Sequence, residues 1–216
     1  MSAIATLIDH QPADPALFER ALTHGSHGSD TYERLDFLGD RVLGLIIATW
    51  LYERFPSEPE GKMSRRYNAL VTRETCADVG RALDLPRHIR LGKQAREDQA
   101  NLSDNVVGDV VEALIGALYL DAGLGRAQDF VRQYWAPFLD GQKRAPVHPK
   151  SGLQEIAAAR NLGVPLYEIL ARFGPHHAPR FRVKVSLGVH GEAEAEGDSK
   201  QEAEKEAATA LLEKLK

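Results

Sequence analysis

An all-α domain over residues 1–140, then a linker at 141–148, then a small α+β domain of order α-β-β-β-α over 149–216, is the architecture the chain predicts. Three observations carry it. Apolar residues recur at helical spacing up to about Leu139. Gly141 to Pro149, Gly-Gln-Lys-Arg-Ala-Pro-Val-His-Pro, has the composition of a linker. Beyond it Phe181, Val183, Val185, Leu187 and Val189 alternate with Arg182, Lys184, Ser186 and Gly188, which is the period of a half-buried strand.

Composition bounds the function classes. With 43% apolar and 27% charged residues the chain is an ordinary globular one. Its longest apolar stretch, Val42 to Trp50 with Thr49 inside it, is far short of the ~20 residues a membrane helix needs. No basic segment precedes a hydrophobic one at the N-terminus, so the chain reads as soluble, cytoplasmic and without a membrane partner. The single cysteine, Cys76, excludes an internal disulfide and a cysteine-rich zinc site, and reads as a small buried apolar residue. A net charge of −4 gives no general attraction to nucleic acid, and from residue 148 onward acids and bases balance. Any polyanion must be held by local geometry.

The elements follow in order. Ala3 to Asp9 is a short helix candidate, and Asp14-Pro15, an N-cap with proline at N1, opens a helix through about Leu22. Thr23 to Asp30 is a loop in which His24 reads as a packing histidine. Tyr32 to Leu51 is a helix with three acids at its head, Glu33, Asp36 and Asp40, which share one face at about 100° per residue. From Val42 onward it is apolar nearly all round, as a buried helix is. Pro56 stops it, and Ser57 to Gly61 is a loop carrying Glu60. A second helix is expected over 63–83, a turn of helix at Pro86 to Ile89, and a polar mobile loop from Gly92 to Leu102. Ser103 to Leu120 is again apolar except for Asp109 and Glu112 past its first turn, and Gly108, Ala113, Gly116 and Ala117 keep it slim enough for close packing. Leu124 to Leu139 closes the domain with Phe130, Tyr134, Trp135 and Phe138 as core candidates. In the second domain Gly152 to Arg160 is a helix, Tyr167 to Phe173 and Phe181 to Val189 are strands, and Glu192 to Glu196 is an exposed third strand. Ser199 caps a helix from Lys200 to Leu215.

Carboxylates cost several kcal/mol to bury unless they are paired or hold a metal. Asp36 and Asp40 on one buried helix and Asp109 and Glu112 on another are four acids that packed helices can bring to one point. All-oxygen ligation suits Mg²⁺, with Mn²⁺ as a substitute, and no histidine or cysteine stands at ligand spacing for zinc or copper. A hard cation polarises a phosphate oxygen and acidifies a bound water, which is what phosphodiester hydrolysis needs.

Glu33-Arg34-Leu35-Asp36-Phe37-Leu38-Gly39-Asp40 resembles the signature of the ribonuclease III family, and Asp109-Val110-Val111-Glu112-Ala113-Leu114-Ile115-Gly116 resembles its second acidic motif. Leu22-Thr23-His24 with Ser26, and Glu60-Gly61 before Met63-Ser64, fit the same family in the same order. The resemblance implies an endonuclease domain, acting as a homodimer on double-stranded RNA without a small-molecule cofactor. It implies cuts that leave 5′-phosphate, 3′-hydroxyl ends and short 3′ overhangs, in ribosomal RNA precursors and structured messages. Asp36, Asp40, Asp109 and Glu112 would be the metal ligands, Asp40 and Glu112 the most directly catalytic, and Glu33 and Glu60 would lie near the subunit interface and the cleavage site. The C-terminal part resembles a double-stranded RNA-binding domain: Pro149-Lys150-Ser151-Gly152-Leu153-Gln154-Glu155 opens it, Gly174-Pro175-His176-His177 joins its first strands, and Gly197-Asp198-Ser199-Lys200 precedes its last helix. Gln154 and Glu155 would then address ribose hydroxyls across one minor groove, His177 a second, and Lys200 the phosphates between.

Two departures stand out. The family usually has Glu where this chain has Asp36, one methylene shorter, from which a lower rate or a preference for Mn²⁺ is expected. The family often has a second lysine where Gln201 stands, and Glu192, Glu194, Glu196 and Asp198 add negative charge, so weaker and more salt-sensitive RNA affinity is expected of this domain alone. A non-catalytic duplex-RNA-binding protein that keeps the nuclease fold is the alternative. A ferritin-like di-metal oxidase also uses acids on helices but wants Glu-x-x-His pairs, which neither acidic motif supplies.

Overall fold

The computed structural model describes residues 6–175 and 179–215, in two compact units, Met1–Pro146 and Val147–Lys216. The first unit is all-helical. Asp14 caps α1 (Pro15–Ala21), its carboxylate accepting from the Ala16 amide at 3.0 Å. The acidic helix is α2 (Glu33–Arg54). The single helix expected over 63–83 is two, α3 (Glu60–Leu70) and α4 (Arg73–Ala82). Thr72 makes the break: its extended backbone and hydroxyl cap α4 by accepting from the Thr75 amide at 3.1 Å, a role apolar periodicity does not reveal. Residues 92–102 are not a plain loop but hold α5 (Lys93–Glu97) and a 3-10 turn at Ala100–Leu102.

Ser103 caps α6 (Asp104–Gly141), which is interrupted at Gly123, where φ is 80° and ψ 178°. Only glycine takes that conformation without strain, so the two helices expected on either side of residues 121–123 meet at a kink. The C-terminal half supplies Trp135, fully buried with its indole N–H donating to the Leu70 carbonyl at 2.8 Å. Asp121, just before the kink, accepts from the Ala13 and Asp14 amides at 3.1 and 2.7 Å and pairs with His10 at 2.6 Å, fixing the N-terminal segment to α6.

The core lies between α2 and α6, where Leu43, Ile47 and Leu51 meet Val110, Val111, Leu114, Ile115 and Leu118. Each such side chain contributes about 1.5–3 kcal/mol by leaving water. The helices approach as closely as backbones can. A Cβ on Gly39 would lie 1.7 Å from the Glu112 carbonyl oxygen, and one on Gly116 would lie 2.4 Å from that of Leu35. Only two glycines facing each other permit this crossing, and it sets the acids of one helix beside those of the other.

The second unit packs α7 (Pro149–Ala159) and α8 (Lys200–Lys214) on one face of an antiparallel sheet ordered β1 (Leu166–Phe173), β2 (Arg180–Ser186), β3 (Glu192–Gly197). Its core is Leu153, Ala157, Val185, Leu187, Ala193, Ala207, Ala208 and Leu211. The third strand is therefore half-buried rather than wholly exposed: its glutamates face water while Ala193 packs inward. Arg182 pairs with Glu196 and Lys184 with Glu192, each at 2.6 Å, so much of that acidic run is matched across the sheet. β2 ends before the expected Val189, because Gly188–His190 turns as a 3-10 segment.

Candidate functional site

The crossing at Gly39 and Gly116 determines which side chains meet. Asp36 and Asp40 lie one turn apart on α2, Asp109 and Glu112 one turn apart on α6, and all four line one cavity of about 300 Å³ together with Arg41, Val71 and Arg73. Asp36, Asp109 and Glu112 each offer an oxygen within 4.8 Å of the others. Asp40 stands outside this closest group. Its half-exposed carboxylate accepts from Arg41 Nη1 at 2.9 Å, and that guanidinium also donates to the Phe37 carbonyl and lies 4.0 Å over the Phe37 ring.

The electrostatics follow from burial and like charge. Burial, a hydrogen bond to Asp36 and then the charges of Asp36, Asp40 and Asp109 push the Glu112 carboxyl up to about 8. Burial also raises Asp36, with Asp109 and Asp40 adding to it and the hydrogen bond from Glu112 and the charge of Arg73 opposing it. Burial and like charge thus raise both members of the Asp36–Glu112 pair. Two further groups belong to this site. Tyr32 donates to Asp109 Oδ2 at 3.2 Å, and burial with the neighbouring Asp109 pushes its phenol well above the ordinary range. The buried Cys76 thiol lies 3.8 Å from Glu112 Oε1, and burial, then Glu112, raise it as well. Cys76 is small and buried as its composition suggests, but it also serves as a weak donor to the site. Such clustered carboxylates repel one another until a cation or a proton intervenes, and their hard oxygens fit a divalent cation such as Mg²⁺ or Mn²⁺.

Tyr32, Arg41, Cys76 and Arg73 do not stand out from the sequence. Arg41 is flagged only by adjacency to Asp40, and Tyr32 reaches Asp109 across 77 positions with no pattern linking them.

The other expected site residues lie elsewhere in their units. Glu33, exposed at the head of α2, borders a separate cavity of about 850 Å³ with Arg20, Phe37, Leu38 and Leu120. Glu60 opens α3, accepts from the Ser64 hydroxyl, and borders an apolar pocket with Tyr52, Met63 and Tyr67. On the outer face of α2, Phe37, Leu45 and Tyr52 are 63, 55 and 72% exposed. His24 bonds Ser26, whose hydroxyl accepts from the Gly92 amide at 3.0 Å, so this motif braces a loop. In the second unit Gln154 and Glu155 are exposed on α7, and Lys200 begins α8 with its ammonium 3.7 Å from Glu204. Lys150, also on α7, pairs with the same Glu204 and lies 4.7 Å over the Tyr167 ring. His177 falls outside the described residues.

Against known proteins, a Ribonuclease-III-like family model matches residues 14–138 and a Double-stranded RNA binding motif matches 149–215. The chain is 57% identical over 215 residues to Ribonuclease 3 of Zymomonas mobilis, covering 100% of this chain and 87% of that protein. It is 47% identical over 216 residues to Ribonuclease 3 of Rhodopseudomonas palustris, covering 98% of this chain and 79% of the relative. Among solved structures, the nuclease domain of ribonuclease III from Campylobacter jejuni superposes with a TM-score of 0.61 at 28% identity, over 68% of this chain and 99% of that one; it is described as flexible in a region involved in dimer formation.

Proposed function

The chain belongs to the ribonuclease III family, and from that premise we propose that it is a Mg²⁺-dependent endoribonuclease that hydrolyses double-stranded RNA to 5′-phosphate and 3′-hydroxyl ends with short 3′ overhangs. Residues 1–140 form the catalytic domain, 141–148 the linker and 149–216 the duplex-binding domain in this reading. The observation that carries it is the cavity where two crossing helices present four carboxylates, three of them with oxygens within 4.8 Å of one another. Asp36, Asp40, Asp109 and Glu112 would hold the cation, with Mn²⁺ as a substitute. When bound, it supplies Lewis acidity to a phosphate oxygen and lowers the pKa of water.

The chain's own groups do the rest. A bound cation would favour the ionised form of Glu112, which burial and the neighbouring carboxylates now disfavour. Tyr32 holds Asp109 in orientation and the Cys76 thiol steadies Glu112. Asp40 is retained by an exposed ion pair worth at most about 1 kcal/mol, too little to keep it from a divalent cation. The non-catalytic alternative is not favoured, because Asp36 keeps its carboxylate beside Asp109 and Glu112 despite the shorter side chain.

Two further proposals complete the reading. The exposed apolar face of α2, with Phe37, Leu45 and Tyr52, is the homodimer contact, and Glu33 and Glu60 lie near it. Gln154, Glu155, His177 and Lys200 contact the duplex. Cytoplasmic precursors of ribosomal RNA and structured messages are the substrates, and no helix among the described residues is long and apolar enough to cross a membrane. Incubation with duplex RNA and Mg²⁺ or Mn²⁺ tests the enzyme reading. Metal-dependent cleavage is expected from the parent protein and none above background from Asp40→Asn; a parent inert in both metals overturns it.

A further inference from the structure

Four carboxylates lining one cavity concentrate negative charge there. An RNA phosphodiester arriving beside them therefore meets repulsion unless cations of the protein line the same space. Two do, Arg41 and Arg73, and the structure gives them different tasks. Arg41 is committed to Asp40, to the Phe37 carbonyl and to the Phe37 ring. Arg73 makes no ion pair among the described residues. Its Nη1 donates to Asn105 Oδ1 at 3.0 Å, a neutral partner that orients the guanidinium without cancelling its charge.

Arg73 is also seated. A Cβ on Gly108 would come within 3.3 Å of Arg73 Cγ and of its carbonyl oxygen, so the missing side chain on α6 makes room for the arginine stem. Asn105, Gly108, Asp109 and Glu112 thus form one strip of α6, with the two acids in the cavity and Arg73 laid against the glycine. The position does not serve helix stability. Arg73 is the first residue of α4, where the helix dipole disfavours a cation by a few tenths of a kcal/mol.

We propose that Arg73 binds the RNA phosphodiester at the mouth of the carboxylate cavity, its guanidinium addressing the non-bridging oxygens. Arginine suits this because its planar fork matches two phosphate oxygens and its charge survives any working pH. This rests on the nuclease reading above and names a substrate-binding group for the same site. In the reaction Arg73 exchanges no proton; it places the phosphodiester against the carboxylate-bound cation and offsets charge that develops on phosphorus-bound oxygens.

The test uses the full chain carrying Arg73→Gln or Arg73→Lys. Thermal unfolding checks that each is folded, as expected for an exposed residue whose cap Thr72 is untouched. Duplex RNA affinity is measured against salt with Ca²⁺ in place of Mg²⁺ and the RNA checked to remain intact. Arg73→Gln is expected to reduce the salt slope by about 1, the signature of one lost phosphate contact. Arg73→Lys, which keeps the charge, is expected to retain the slope. Single-turnover cleavage at saturating RNA should fall about 100-fold in Arg73→Gln and less in Arg73→Lys, while Mn²⁺ affinity read by electron paramagnetic resonance is not weakened. Slope and rate unchanged in Arg73→Gln overturn the proposal. So does a rate loss with weakened Mn²⁺ binding and an unchanged slope, which would make Arg73 a prop for the carboxylates. If the parent cleaves in neither metal the nuclease reading falls, and the salt slope still judges Arg73.

Discussion

At Glu112, burial and three neighbouring carboxylates act in the same direction, so the metal-free cavity keeps a proton that a cation must displace. The sign follows from the raised pKa. The contribution of Glu112 to stability is fully present below its ordinary value of 4.5 and is lost as pH rises through about 8. Metal-free protein should therefore melt at a lower temperature at pH 8 than at pH 6, and added Mg²⁺ should restore more at pH 8. Binding should weaken about tenfold per unit of acidification below pH 8, with one proton released per cation, measured by titration calorimetry in two buffers of different ionisation enthalpy. Asp36 shows how far single residues were legible. Its acidity inside an apolar helix marks it, yet its partners Asp109 and Glu112 stand on a helix much later in the chain. Arg73 lies further from view, since an arginine opening an amphipathic helix looks like any solvated one until Asn105 and Gly108 are set beside it.

Elements are where periodicity served best, because a buried helix must show apolar residues wherever it faces its neighbours. That held for α2 and for the first half of α6, whose runs of buried apolar residues frame the acids of the site. It did not reveal the break at Thr72, where a side-chain cap outweighs the continuing pattern, nor the kink at Gly123, set by one backbone angle. The crossing of α2 and α6 was foreshadowed by small residues on α6, but Gly39 as their counterpart was visible only as part of a motif. Gly116→Ala puts a methyl against the Leu35 carbonyl and forces the helices apart. Denaturant unfolding should show a loss of about 3 kcal/mol, at the upper end for overpacking. Cleavage activity should fall further than the loss of folded protein explains, since the two acid pairs separate.

For the molecule as a whole, the unmatched feature is the apolar outer face of α2. Phe37, Leu45 and Tyr52 are large apolar side chains on one face of the helix, each more than half exposed. Leu45→Glu should convert the particle seen by light scattering from twice the chain mass to the chain mass, with helicity by circular dichroism unchanged. An unchanged mass would remove this face as the dimer contact. The second unit shows what composition leaves out: its acidic strand underlies the expectation of weaker, more salt-sensitive RNA affinity, and Arg182 and Lys184 pair with Glu196 and Glu192 across the sheet. Net charge carries no information about which charges touch. Finally, the tie between Asp121 and residues 10–14 spans more than 100 positions, as does the hold of Arg126 on the Ile8 carbonyl. A ribosome emits the N-terminal segment first and α6 last, so the earliest residues of the first unit wait for their anchor until nearly all of that unit has left the exit tunnel. During that interval the inner faces of α1 and α2 lack α6, their main packing partner, which makes this stretch of synthesis a window in which the nascent chain exposes apolar surface.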